Sequence, residues 1–120
     1  MTEKLTDFQQ LNVWQKAHNL VLSIFEITKK FPRDEKSDLG SLIRLTGMRI
    51  PANIAIGFMR RLPDDKEAAY RVSQDAIEEL KYYVILSRDL EIMKNVDEIL
   101  LAVDEVGRML TGLVRSTHPK

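Results

Sequence analysis

The small number of helix-breaking residues, and their positions, most constrain what this chain of 120 residues can fold into. Glycine occurs five times and proline four times. Pro32, Pro63 and the stretch 90–95 separate four segments that each keep a helical spacing of apolar residues. We predict helices at about 10–30, 36–60, 65–90 and 96–117. Short connections between helices of similar length favour an all-α fold, an antiparallel up-and-down four-helix bundle in which residues 1–120 form a single domain.

Pro51 lies inside the second predicted helix, where it removes one backbone donor and bends the helix axis. An apolar stripe at steps of three and four residues continues on both sides of this proline, so we expect a kink and not a break. The stripe comprises Leu39, Ile43, Gly47, Ile50, Ile54 and Phe58. The predicted core comprises Trp14, Val21, Phe25, Ile43, Ile50, Ile54, Leu80, Val84, Val103, Val106 and Leu110, and His18 is expected as a buried, hydrogen-bonded imidazole beside it.

Composition excludes several classes of protein. Apolar residues make up 44% of the chain and charged residues 30%, which is typical of a soluble globular domain. Cysteine is absent, which excludes disulfides and thiolate chemistry. No apolar run approaches the ~18 residues of a membrane span, and the N-terminus does not resemble a signal peptide. We therefore expect a cytoplasmic protein without a membrane partner.

No motif for catalysis or metal binding is present. The two histidines, His18 and His118, are not part of the Glu-x-x-His motifs of di-metal bundles or of a zinc-binding pair. Nucleophile elbows, P-loops and dinucleotide-binding glycine motifs are also absent. We predict a protein that is not an enzyme, with no cofactor, no metal site and no small-molecule substrate.

The charges are segregated along the chain, although 18 basic and 18 acidic residues give a formal net charge of zero. Residues 29–61 contain eight basic and three acidic residues, whereas residues 62–105 contain five basic and twelve acidic residues. Such asymmetry can provide a basic surface for phosphates, or complementary surfaces for packing within the chain or against another copy of it.

The second helix carries a second apolar stripe, opposite the one assigned to the core. The first helix likewise shows two adjoining apolar stripes, more than a four-helix monomer can bury. We predict that this surplus mediates self-association; the alternative is that these are scattered surface residues of no consequence. The predicted interface of the second helix comprises Leu45, Met48, Ala52, Ile56 and Met59.

Four arginines give the same helix its positive charge. Arg44, Arg49, Arg60 and Arg61 form a candidate nucleic-acid-binding surface, because an aligned row of arginines can follow a phosphate backbone. The alternative is that they pair with acidic residues of the third helix or of a neighbouring subunit. Glu79 is the acidic residue for which Arg44 or Arg49 is the expected partner.

Three motifs in the first half of the chain resemble those of the four-helix-bundle proteins encoded by intervening sequences of bacterial large-subunit ribosomal RNA genes. Weaker similarities continue through the third and fourth segments, so that the resemblance covers nearly the whole chain. The motifs are Phe8-x-x-Leu11-x-Val13-Trp14-x-x-Ala17, Thr28-Lys29-Lys30-Phe31-Pro32 and Ile50-Pro51-Ala52-Asn53-Ile54-Ala55-x-Gly57.

The resemblance implies a ring-like homopentamer of four-helix bundles. It also implies a relationship to the accessory variability determinant of diversity-generating retroelements, which binds a reverse transcriptase and its template RNA through basic surfaces. This chain departs from the family pattern at Leu45 and Ile56 and is neutral where those accessory proteins are basic. The expected function is a non-catalytic, oligomeric RNA-binding accessory protein that supports a reverse transcriptase; the alternative is a protein-binding scaffold without a nucleic-acid role.

Overall fold

Four long helices make up most of the protein, whose computed structural model describes residues 4–119 apart from the side chains of residues 35–37. The helices are α1 (Asn12–Thr28), α2 (Ser41–Met59), α3 (Pro63–Asp89) and α4 (Val96–Ser116). A 3-10 turn at Phe8–Gln10 precedes α1. A short helical turn at Arg33–Glu35 and a π-helical turn at Lys36–Gly40 lead into α2, so the chain turns helical earlier than the predicted residue 36.

The four helices form an elongated bundle with principal extents of 49 × 26 × 21 Å. Each helix packs against its neighbours in sequence, and α4 closes the bundle against α1. Short connections between consecutive helices force them to alternate in direction, and the part of the chain that the structure describes contains no strand. The predicted all-α four-helix bundle is therefore confirmed. Within residues 4–119, no helix is both long and apolar enough to cross a bilayer.

Local chemistry explains where the helices begin. Asp7 caps the 3-10 turn by accepting a hydrogen bond from the backbone N–H of Gln9 at 2.8 Å. The sequence Asp64-Asp65-Lys66-Glu67 predicts Asp64 as the N-cap of α3. This prediction is wrong, because the helix begins earlier, with Pro63 in its first turn and Leu62 at the N-cap. Proline suits this position because its missing N–H would have no helical partner. Asp64 instead lies in the first turn, where a carboxylate interacts favourably with the helix dipole.

The core follows the predicted stripes of α2, α3 and α4 but not that of α1. Val21 is buried, as are all eight predicted core residues of the other three helices. Trp14 and Phe25 are only partly buried, and His18 is exposed and stacked on Trp14 with ring centroids 5.0 Å apart. The predictions for these three residues are wrong, because α1 turns its adjoining stripe to the core. That stripe comprises Val13, Ala17, Leu20 and Ile24.

Helix α2 continues through Pro51 without interruption, as expected. Pro51 is buried, and its neighbour Ile50 is fully buried. The backbone carbonyl of Ile50 accepts a hydrogen bond from the Ser73 hydroxyl of α3 at 2.8 Å. A polar contact from the adjacent helix thus holds the backbone beside the proline.

Candidate interaction surface on α2

The stripe of α2 that faces away from the core is exposed along its whole length. We call Leu45, Met48, Ala52, Ile56 and Met59 the α2 outer face; all five are exposed in the single chain. Leu45 exposes 58% and Met59 67% of its surface. Leu42 and Leu62, at either end, are also exposed, so the apolar surface extends beyond the predicted residues. The exposed apolar residues are thus aligned along one face of the helix.

The contacts of α2 with its neighbours fix the direction of this face. Gly47 approaches α1, because a Cβ built on it would lie 3.1 Å from the Ile24 side chain. Thr46 approaches α3, where its hydroxyl donates a hydrogen bond to Glu79 at 3.1 Å. The α2 outer face lies on the opposite side of the helix from Ile43, Ile50 and Ile54, which are fully buried. It therefore points away from the bundle.

Three of the four predicted arginines lie beside the α2 outer face. Arg49, Arg60 and Arg61 are exposed, and among the described residues none of their guanidinium groups has an ion-pair partner. Arg60 also lines an open groove between α2 and α3, together with Asn53, Ile56, Asp65, Ala68, Ala69 and Val72. Asp65 adds a carboxylate to the same groove, which lowers its positive potential.

Arg44 has a structural environment that its sequence position does not reveal. Its Nε donates a hydrogen bond to the hydroxyl of the fully buried Thr28 at 2.7 Å, and Nη2 donates to the Phe25 carbonyl at 3.2 Å. The guanidinium also lies 4.6 Å from the centroid of the Phe25 ring. A cation at this position adds a charged donor to a carbonyl of the last turn of α1 and interacts favourably with the helix dipole. Arg44 thus joins α2 to the end of α1.

Glu79 does not pair with Arg44 or Arg49, contrary to expectation. Its carboxylate accepts hydrogen bonds from the hydroxyls of Thr46 and Tyr83, both at 3.1 Å. The hydrogen bond to this carboxylate raises the pKa of Tyr83, with burial and the nearby negative charge adding to the effect. The sequence does not indicate that the buried Thr46 would be a partner of Glu79, because a threonine among apolar residues belongs to no recognisable motif.

A lysine of α3 caps α2, and no sequence pattern indicated this role. Lys66 Nζ donates hydrogen bonds to the carbonyls of Gly57 at 3.1 Å and Phe58 at 2.9 Å. The ammonium also lies 5.7 Å from the Phe58 ring centroid. These carbonyls belong to the last turn of α2, where helical partners run out. The Gly57 carbonyl also accepts the backbone N–H of Arg60 at 3.2 Å, so Lys66 adds a charged donor to the end of the helix.

A polar cluster forms where His118, which follows α4, meets Asp64 and Glu67 at the beginning of α3. His118 Nε2 lies 3.0 Å from Asp64 Oδ1 and 3.1 Å from Glu67 Oε1. A hydrogen bond from Arg71 lowers the pKa of the Glu67 carboxyl against a smaller opposing effect of burial. Sequence reasoning missed this cluster, because His118 lies far from both carboxylates along the chain.

Negative charge is concentrated on a different side of the bundle from the α2 outer face. Asp75, Glu78 and Asp104 line an open groove between α3 and α4, in which Arg108 is the one basic residue. Lys81 of α3 pairs with Asp104 across the same two helices at 3.2 Å. The charge segregation seen along the sequence thus becomes a separation between surfaces.

Both the sequence and the fold of this chain are similar to those of known proteins. Residues 9–112 match the family described as 23S rRNA-intervening sequence protein. The chain belongs to this family. A solved structure from Bacteroides thetaiotaomicron, a protein of unknown function from the S23 ribosomal protein family, superposes with a TM-score of 0.78 at 19% sequence identity. The alignment covers 86% of this chain and 98% of the other, and at this identity it shows the shared fold alone. No curated protein matches the chain significantly.

Proposed function

We propose that this 23S rRNA-intervening sequence protein is a non-catalytic accessory protein that assembles with copies of itself through the α2 outer face and binds RNA through Arg49, Arg60 and Arg61. The observation that carries the proposal is the juxtaposition, on one helix and the loop after it, of an exposed apolar stripe and three unpaired arginines. The RNA would be the template of a reverse transcriptase, as the resemblance to retroelement accessory proteins suggests.

Self-association accounts for the apolar surface. Burying exposed side chains as large as Leu45, Ile56 and Met59 releases about 25 cal/mol per Å² of apolar area, which favours assembly over leaving them in water. Helix α1 adds Leu22, which is 53% exposed, to the apolar surface available for contact. The number of copies, five, comes from the family resemblance alone.

Assembly would also make RNA binding effective. Three arginines on a neutral chain provide only weak phosphate contacts, and each contact weakens further as salt displaces it. A ring repeats the same three arginines in every copy, so that one RNA strand can engage several sets at once. We propose that Arg44, whose guanidinium contacts Thr28 and Phe25, contributes to the fold more than to phosphate binding.

The assembly is tested by Ile56→Glu, which places a carboxylate in the centre of the α2 outer face. Sedimentation velocity at micromolar concentration should show an oligomer for the wild type and a monomer for the variant, with unchanged helical circular dichroism. Asn19→Glu, on an exposed position of α1 outside both apolar stripes, is the matched control and should remain oligomeric. A monomeric wild type would contradict the proposal.

RNA binding is tested by the double substitution Arg60→Ala with Arg61→Ala. Fluorescence anisotropy with a single-stranded RNA should show binding that weakens steeply with salt, and the variant should lose affinity and reduce the salt slope. Arg115→Ala removes one exposed arginine from the end of α4 and serves as the control. Absence of RNA binding at low salt would exclude this function.

A protein-binding scaffold remains the second candidate, and the acidic groove between α3 and α4 favours it. The three acidic residues of this groove in one copy would pair with the three exposed arginines of the next copy, and the arginines would then not be free to bind RNA. The acidic residues are Asp75, Glu78 and Asp104, and the arginines are Arg49, Arg60 and Arg61. In that case the substitution Arg60→Ala with Arg61→Ala would weaken the oligomer in sedimentation experiments while RNA binding is absent in the wild type as well.

A further inference from the structure

The polar cluster of Asp64, Glu67 and His118 contains the side-chain types of a metal site outside the α2 outer face. One ligand atom from each residue lies within 4.8 Å of the other two. Asp64 and Glu67 are three residues apart in the first turns of α3, so both carboxylates lie on one face of the helix. His118 reaches them from the segment after α4. We propose that these three side chains bind a divalent transition-metal ion of the Zn²⁺ type and thereby fasten the C-terminal segment to the beginning of α3.

Two of the three distances between the ligand atoms, those from the histidine, suit such an ion, and the two carboxylates lie within 4.8 Å of each other. Ligands at about 2.1 Å from a zinc ion are separated by about 3.4 Å in a tetrahedral site and about 3.0 Å in a six-coordinate one. The distances from His118 Nε2 to the two carboxylate oxygens are 3.0 and 3.1 Å. A bound ion would replace the hydrogen bonds between His118 Nε2 and the two carboxylate oxygens.

One neighbouring residue orients the cluster for this role. Arg71 Nε donates a hydrogen bond to Glu67 Oε2 at 2.7 Å, whereas Oε1 of the same carboxylate points to His118. A partner that holds one oxygen and leaves the other available is typical of the groups that surround metal ligands. Asp64 is almost fully exposed and the side chain of His118 about half exposed, so water can complete the coordination.

The positive end of the α3 dipole and the charge of Arg71 both oppose a cation at this position. We therefore expect moderate affinity, on the order of micromolar, in place of the tight binding of a buried structural zinc. Metal binding would restrain the C-terminal segment. Thr117 is already buried beside this segment, and a metal bond at His118 would hold the end of α4 against the start of α3.

The experiment is calorimetric titration of Zn²⁺ into the untagged full-length chain near pH 7.5. Wild type should bind one ion per chain, and His118→Ala and Asp64→Asn should each weaken binding by more than about tenfold. In NMR spectra, Zn²⁺ should shift the imidazole resonances of His118 and leave those of His18 unchanged. Circular dichroism of each variant verifies that it is folded.

The chain supplies its own matched control, because His18 is its only other histidine. His18 is exposed on α1, stacked on Trp14, so His18→Ala should leave zinc affinity unchanged. Equal loss of binding in His18→Ala and His118→Ala, or no saturable binding by the wild type up to about a hundred times the expected dissociation constant, would overturn the proposal. The cluster would then be a hydrogen-bonded tail contact only. These results do not depend on the α2 outer face, so they are separable from the outcome for the proposed function.

Discussion

Different interactions hold α2 against α3 and α1 against α4. The helices α2 and α3 share the most extensive contact of the bundle, and α1 and α4 the least extensive of the four neighbouring pairs. Across the first contact, Gly57 lies against the Tyr70 ring and Ser73 bonds the Ile50 carbonyl. Across the second, Lys16 and Glu105 form an exposed ion pair at 3.3 Å.

The difference shows where the stability of the bundle is concentrated. The contact between α2 and α3 depends on three residues. Gly57 leaves room for the Tyr70 ring, Ser73 donates to a backbone carbonyl of α2, and Lys66 donates to two carbonyls at the end of α2. Between α1 and α4, the surface opens into a groove lined by Leu22, Ile27, Ile99 and Ala102 among others, and polar side chains at its edge contribute little energy. We expect substitutions in the first contact to unfold the protein more readily than substitutions in the second.

Gly57→Ala should have the largest effect. A Cβ at this position would lie 2.6 Å from Cδ1 of Tyr70 and closer still to Cε1, and the buried ring has little room to move. We expect a loss of about 3 kcal/mol in the free energy of unfolding, measured by urea denaturation. Gly112→Ala is the control, because open space surrounds that glycine; it should stabilise the protein by up to about 1 kcal/mol. Equal effects of the two substitutions would show that the glycine contact is not decisive.

Lys66→Met should have the next largest effect, because it keeps an apolar side chain of similar length and removes the ammonium. Two carbonyls at the end of α2, those of Gly57 and Phe58, lose their charged donor. We expect a loss of about 1 to 2 kcal/mol by the same measurement. Lys81→Met, which removes a lysine from a surface ion pair with Asp104, should cost less than about 0.5 kcal/mol. A comparable loss in both variants would argue against the capping role.

Ser73→Ala should cost about 1 kcal/mol. Ser73 is fully buried, and its hydroxyl donates to the Ile50 carbonyl, which already lies within a helix. Thermal unfolding of the variant should show a lowered transition, while Ser23→Ala on the exposed side of α1 should not. An unchanged transition in Ser73→Ala would mean that packing alone accounts for the contact between α2 and α3.

Lys16→Ala should have the smallest effect, changing the free energy of unfolding by about 0.5 kcal/mol or less. Both members of its ion pair with Glu105 are about half exposed, so water and salt screen their attraction. A double-mutant cycle with Glu105→Gln measures the coupling directly. Coupling above about 1 kcal/mol would remove the contrast between the two contacts.

Much of the bundle follows from sequence alone, because its signals are local. Proline positions and apolar spacing predict four helices, and the observed bounds of α3 and α4 lie within two residues of the predicted ones. The exposed stripe of α2 was also identifiable, since opposite faces of one helix cannot both face a single core. The use of this stripe as an interface stays a prediction.

Tertiary structure decided the features for which the sequence offers equivalent alternatives. In α1 two adjoining apolar stripes compete. The bundle buries the one with Val13 and Ile24, while Trp14 is only partly buried and His18 is exposed. The partners of Arg44 and Glu79, and the meeting of His118 with Asp64, join residues that are distant along the chain. Helical period and end signals depend on residues within a few positions of one another, so they can be read from the sequence. Which side chains meet across helices depends on the rotation and depth at which whole helices pack, and only the assembled bundle determines these.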